Sequence, residues 1–233
     1  MMQIAFRAWR RSGWGNLIRP RLQTFVLWQF KKIWGWSADL IYNVDTFRCD
    51  PDALRERAGR YAYDPTPWSA FRRIFTHFRL DFARYTFIDM GAGKGRIVLA
   101  ASAFPFIGVI GVEFSPSLCR IAESNLLTCR FLRRRASMTR IVECDAAEFQ
   151  IPGTACAFFF YNPFNNETMN RVINNIILSY QQSRREVYLI CVGMSTIFLQ
   201  MVRNSNLELR HSFDIRWGMF DHRSVYIFMI TDD

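Results

Sequence analysis

At 233 residues the chain is long enough to bury a large core, and 50% hydrophobic with 16% aromatic residues exclude a disordered polymer. A formal charge of +10 favours anionic partners, namely nucleic acid, acidic lipid headgroups or acidic proteins. Six cysteines without a C-x-x-C pair, and three well-separated histidines (His77, His211 and His222), argue against a metal site and suit a reducing cytosol.

The chain divides near residue 60. Residues 1–60 read as a basic, tryptophan-rich helical extension, and residues 61–233 as the main domain. Arg7, Arg10, Arg11, Arg19, Arg21, Lys31 and Lys32 all precede the first acid, Asp39. Five of the seven tryptophans (Trp9, Trp14, Trp28, Trp34 and Trp36) fall there too. Leu22–Trp36 is apolar, but Gln29, Lys31 and Lys32 interrupt it too soon for a membrane span. No secretory signal is expected. Arginine with tryptophan suits an interfacial helix on a membrane, a clamp on single-stranded nucleic acid, or a cap packed on the main domain. The expected location is cytoplasmic, with membrane association as the variant of that reading.

Thr66–Leu80 reads as a helix, with Thr66 as N-cap and Pro67 at its first position. Phe71, Ile74, Phe75 and Phe78 mark its apolar face. Phe87–Met90 is then an apolar strand interrupted by Asp89. It breaks into Gly91-Ala92-Gly93-Lys94-Gly95, and a helix follows from Ile97 to Ala103. Glycines at alternate positions let bare backbone approach a ligand. The spacing is not that of a dinucleotide loop, and Lys94 lacks the Ser/Thr neighbour of a Walker loop.

Ile107–Glu113 is a second buried strand. It ends in an acid about 20 residues past the glycine turn, where α/β nucleotide folds hold ribose hydroxyls. Ser115 and Pro116 open a helix to Leu127. Arg133, Arg134 and Arg135 read as a solvated loop before the third strand, Ile141–Glu143. Asp145 follows as a site or capping residue. Ala155–Tyr161 is a buried parallel strand, and Asn162-Pro163-Phe164 stands at its carboxyl end, where α/β sites form. A helix over Asn166–Tyr180 and strands at Glu186–Val192, Leu207–Phe213 and Ser224–Ile230 complete the chain.

The pattern from Asp89 through Gly91, Gly93 and Gly95 resembles the first motif of the class I S-adenosylmethionine-dependent methyltransferases. Tyr63-Asp64-Pro65-Thr66-Pro67 resembles an element of bacterial methyltransferases of unassigned substrate, and a similar one precedes the sheet in some protein lysine methyltransferases. Asn162-Pro163-Phe164 is similar to the Asn/Asp-Pro-Pro-aromatic box of nitrogen-directed enzymes, without its second proline. The resemblance implies an α/β, three-layer Rossmann-like sandwich. Its seven-stranded sheet would be mostly parallel, with the last two strands as an antiparallel edge pair.

It also implies S-adenosylmethionine as cofactor, bound by Asp89, Gly91, Ala92, Gly93, Gly95, Glu113 and Asp145. Loop amides would face the methionine carboxylate, Glu113 the ribose and Asp145 the adenine. Asn162, Pro163 and Phe164 would position an unidentified acceptor, with nitrogen in a lysine, amine or amide as the expected atom. Asp64 is the one candidate base. Two other classes stay open: a nicotinamide-dependent oxidoreductase, and a non-catalytic membrane- or nucleic-acid-binding module with a vestigial pocket.

Overall fold

Five short apolar runs pair in parallel: β1 (Thr86–Met90), β2 (Gly108–Glu113), β3 (Thr139–Glu143), β4 (Cys156–Tyr161) and β5 (Val187–Val192). With β6 (Leu207–Arg216) and β7 (His222–Ile230) they form a sheet of order β3-β2-β1-β4-β5-β7-β6. The computed structural model describes residues 37–47, 65–194, 198, 202, 206–217 and 221–232. The five tryptophans of the extension, together with Tyr63, Asp64 and Cys49, lie outside them.

The central strands β4 and β5 read as near-continuous apolar runs because helices cover both faces of the sheet, whereas β1 carries Asp89 and the edge strand β3 is only partly buried. On one face Phe87, Val109, Ala157 and Phe159 pack on α1 (Trp68–His77) and α2 (Arg96–Ser102), through Phe71, Ile74, Val98 and Leu99. Leu126 of α3 (Pro116–Thr128) joins this cluster. On the other face Ile88, Ile110, Phe158 and Phe160 pack on Met169, Val172 and Ile176 of α4 (Asn166–Gln182). Cys156 and Cys191 are fully buried strand residues that behave as small hydrophobes. The strand order reverses between β1 and β4, so the carboxyl ends of β1, β2 and β4 border one crevice.

Several local expectations are corrected. α1 begins at Trp68 with Pro67 as its cap, not at a Thr66 cap, and it carries no side-chain capping bond. Thr66 is instead buried, and its carbonyl accepts from Arg96. The helix stops at His77, because Phe78 turns extended and packs its ring 5.2 Å from Tyr188. Ser115 does hold the cap position of α3, but its side chain makes no cap bond. The last two strands do form the expected antiparallel edge pair; β7 runs antiparallel to both β5 and β6, so β6 points the same way as the five parallel strands. Among the described residues no helix is long and apolar enough to cross a membrane, and no group of three His, Cys, Asp or Glu is arranged to hold a metal ion.

Gly111 in β2 lets α2 and the glycine turn lie close to the sheet. A Cβ there would sit 2.6 Å from Val98 Cγ2 and 2.9 Å from Ala92 Cβ. Gly111→Ala is expected to destabilise the fold by ~1–3 kcal/mol through overpacking. The check is the urea midpoint, and an unchanged midpoint would contradict this packing.

Candidate cofactor and acceptor site

A cavity of about 670 Å³ opens at the crevice. That is within the roughly 300–1,000 Å³ of small-molecule sites. Asp89, Gly91, Ala92, Gly93, Glu113, Asn162, Pro163 and Phe164, all named from the sequence, line it. Gly95 does not line it. It is the left-handed cap of α2, and a Cβ on it would lie 3.1 Å from Ala122. Asp145 does not line it either: its carboxylate accepts from Ala147 N at 3.0 Å and caps a short 3₁₀ turn. Its neighbours Cys144 and Ala146 do face the cavity.

Glu113 joins two turns. One carboxylate oxygen accepts from Gly93 N at 2.8 Å. The other accepts from Phe114 N at 3.0 Å and Ser115 N at 2.9 Å. A carboxylate offers about four acceptor sites, so three filled ones leave capacity facing the cavity.

Here the loop differs from the expected anion cradle. The amides of Gly91 and Ala92 both donate to Val112 O, Gly93 donates to Glu113, and Gly95 donates to Ala92 O. These N–H groups hold the turn in shape, so they do not stand open for a ligand carboxylate.

Asp89 is only 5% exposed, lines the cavity, and has no hydrogen-bond or ion-pair partner among the described residues. Burial, then the nearby Glu113 charge, pushes its carboxyl up to about 8. A buried acid with no partner favours its neutral form until a cation arrives.

The segment before the main domain braces this wall through Arg96 and Lys94. Arg96 lines the cavity and is buried. Its Nε donates to Thr46 Oγ1 at 2.8 Å, one terminal nitrogen to Thr66 O at 3.2 Å, and the other reaches Asp39 Oδ1 at 3.5 Å. Its guanidinium also lies 5.7 Å from the Trp68 ring centre. Asp39 accepts in addition from Thr46 N, Thr46 Oγ1 and Phe47 N. Buried Lys94 pairs with Asp45 at 3.0 Å, and Asn125 bonds both Asp45 and Lys94 O. Residues 37–47 are therefore bonded to the glycine turn at Lys94, to the start of α2 at Arg96 and to α3 at Asn125.

At the opposite wall Asn162 has φ 42, a left-handed value unusual for a side-chain residue. This bend seats Pro163 against Gly91, where a Cβ would come within 2.7 Å. Gly91 itself has φ 86, so any other residue there is both strained and crowded. Gly193, Met194, His222, Arg223, Ser224 and Tyr226 complete the mouth from β5 and β7. Sequence reading missed these residues and Arg96. The available signals were a glycine directly after a strand and an arginine opening an apolar helix.

Two outcomes are expected. The native state keeps the Asp89 proton between the ordinary carboxylate range and about pH 8, whereas the unfolded chain has already lost it. Stability should therefore fall as pH rises through that window, by up to ~1.4 kcal/mol per pH unit, and Asp89→Asn should flatten the slope. Urea titrations from pH 5 to 8 check this. Asp39→Ala removes a buried acceptor shared by Arg96, Thr46 and Phe47 and should cost ~3 kcal/mol or more by the same assay, and a loss under ~1 kcal/mol would mean the group is not buried as described.

No protein-family model matches the chain, and no curated protein sequence matches it. Solved structures do match in fold. An RNA methyltransferase from Salinibacter ruber, in complex with S-adenosyl-L-homocysteine, is 19% identical with a TM-score of 0.52, over 73% of this chain and 95% of that one. A SAM-dependent methyltransferase from Methanosarcina mazei is 12% identical with a TM-score of 0.51, over 68% of this chain and 98% of that one. TrmN from Thermus thermophilus is 15% identical with a TM-score of 0.50, over 70% of this chain and 48% of that one. A parallel sheet that turns back through an antiparallel β7, a glycine turn after β1 and these likenesses together give the chain the α/β, Rossmann-like fold of the class I S-adenosylmethionine-dependent methyltransferases.

Proposed function

We propose that the cavity binds S-adenosylmethionine and that the chain moves its methyl group to nitrogen, in a protein lysine or another amine or amide. The observation that carries this reading is Asp89, a buried carboxylate on the cavity wall with no partner among the described residues. Such a wall favours a cationic ligand. S-adenosylmethionine carries an ammonium and a sulfonium, whereas a nicotinamide dinucleotide would bring pyrophosphate charge towards Asp89 and Glu113. The shaped glycine turn and this unpaired acid also argue against a vestigial pocket.

In this reading Asp89 holds the ammonium, Gly91, Ala92, Gly93 and Gly95 shape the turn beside it, and Glu113 uses its remaining acceptor capacity on the ribose. Asp145 is assigned to the adenine edge on the strength of its neighbours Cys144 and Ala146, which line the cavity. When bound, the cofactor would supply an electrophilic methyl for in-line transfer to nitrogen, its sulfur keeping the electron pair of the carbon–sulfur bond and the proton displaced from nitrogen passing to solvent. The chain's work is alignment and exclusion of water. The Asn162 side-chain oxygen and Pro163 carbonyl accept from the acceptor N–H groups and aim its lone pair. Phe164 and Tyr161 wall the acceptor, and a cationic amine gains ring contact there.

A nucleobase amine is the second acceptor class, supported by the +10 charge and by the Salinibacter ruber neighbour, named an RNA methyltransferase. We assign residues 61–233 to the methyltransferase unit. Residues 1–60 form an extension whose described part is bonded to the glycine turn and the start of α2, and whose basic remainder meets an anionic membrane or nucleic acid.

Calorimetry with S-adenosylmethionine and with NADH tests the cofactor. Affinity for the former should rise towards pH 8 with proton release, and Asp89→Asn should weaken it at least ~tenfold and remove the pH dependence. Binding of NADH alone would overturn the reading. Transfer of a tritiated methyl into a fractionated lysate identifies the acceptor class. Full labelling by Glu113→Ala would count against the ribose contact.

A further inference from the structure

Between Glu123 and Glu143 the sequence contains no acid, yet it carries Arg130, Arg133, Arg134, Arg135 and Arg140. The first four of these arginines lie exposed on the loop between α3 and β3. Arg134 is tied to Leu126 O, while the side chains of Arg130, Arg133 and Arg135 make no hydrogen bond or ion pair with the described residues. Among these charges stand two bare apolar side chains, Leu127 at 86% and Phe131 at 85% exposure. Phe131 has φ 62, a backbone conformation that side-chain residues ordinarily avoid, and its ring is left in solvent.

The neighbouring segment adds to the same surface. Asn43 donates to Thr128 O, Thr128 donates to Asn43 O, and Arg130 N donates to Tyr42 O. These bonds tie Tyr42 and Asn43 to the end of α3 and to Arg130, and the two residues before them, Leu40 and Ile41, are 68% and 60% exposed. Exposed apolar side chains thus stand near arginines, three of which have no side-chain partner among the described residues.

We propose that this surface docks the chain onto an anionic lipid bilayer. Apolar side chains enter the headgroup boundary while arginines meet lipid phosphate, the arrangement that gives interfacial segments their affinity. Nucleic acid fits less well. Leu40, Ile41 and Leu127 have no π face for a base to stack on, and they would hold phosphates away from the arginines. The surface lies at the end of α3 remote from Ser115 and Glu113. Thirteen helical residues place it roughly 20 Å along the axis from the cavity side. Docking therefore leaves the cavity mouth uncovered, and the inference stands independently of the proposed chemistry.

The test is co-sedimentation of the full chain with vesicles of phosphatidylcholine, with and without phosphatidylserine. Residues 1–36 carry their own arginines and tryptophans, so the variants are compared within the full chain and that contribution is common to all. Arg130→Gln/Arg133→Gln/Arg135→Gln should reduce partitioning onto the anionic vesicles by at least ~tenfold, as should Leu127→Ser/Phe131→Ser. Phe131→Gly guards against misfolding, because glycine accepts the left-handed backbone. It should melt no lower than the wild type and still partition more weakly. Cofactor affinity should be the same with and without vesicles. Partitioning by all three variants equal to the wild type would overturn the proposal. So would loss, in the same variants, of binding to a single-stranded oligonucleotide when no vesicle binding is seen.

Discussion

Two turns have to stay aligned at the end of the sheet, one after β1 and one after β2, and two backbone bonds, from Gly91 N and Ala92 N to Val112 O, begin that joint. Glu113 aligns them with one carboxylate, which takes Gly93 N on one oxygen and Phe114 N and Ser115 N on the other. Charge-assisted bonds of this kind are stronger than neutral ones, and three converge on a half-buried acid. The glycine turn, the start of α3 and the position of Asp89 between them all follow from this contact. Its charge also reaches Asp89, adding to burial in keeping that acid neutral while no cation is present.

The same neighbourhood contains a second constraint of opposite sign. Arg96 and Lys94 are cations held away from water, and the carboxylates that answer them, Asp39 and Asp45, lie on a segment about fifty residues earlier in the chain. Buried pairs add little net stability, but they penalise any arrangement that separates the partners. The segment before the main domain is thus bound to the wall of the cavity by specificity more than by apolar area. The exposed patch at Leu40 and Ile41 belongs to that same segment, so surface and pocket share one short stretch of chain.

Most of the architecture was legible because parallel strands covered on both faces need unbroken apolar runs, and such runs are easy to read: Phe87–Met90, Ile107–Glu113 and Ala155–Tyr161 all became strands. Errors fell at ends, where one bond decides. Phe78 left α1 early to pack on Tyr188, and Thr66 gave its carbonyl to Arg96 instead of capping a helix. Asp145 was legible as an acid after β3 with a cap as one of its two readings, and its bond from Ala147 N is that cap.

By itself the amino-acid order determined the strand set, the glycine turn at Gly91–Gly95, the acid at Glu113 and the Asn162-Pro163-Phe164 corner, because each is a local pattern of side-chain size and backbone freedom. Only the tertiary structure decided which amides the turn spends on itself, that Asp89 is buried without a partner, and that Arg96 is answered by Asp39. It also decided that Arg223 and Tyr226 reach the same cavity from β7. These are properties of distance and dielectric between residues far apart in the chain, and a linear pattern carries neither.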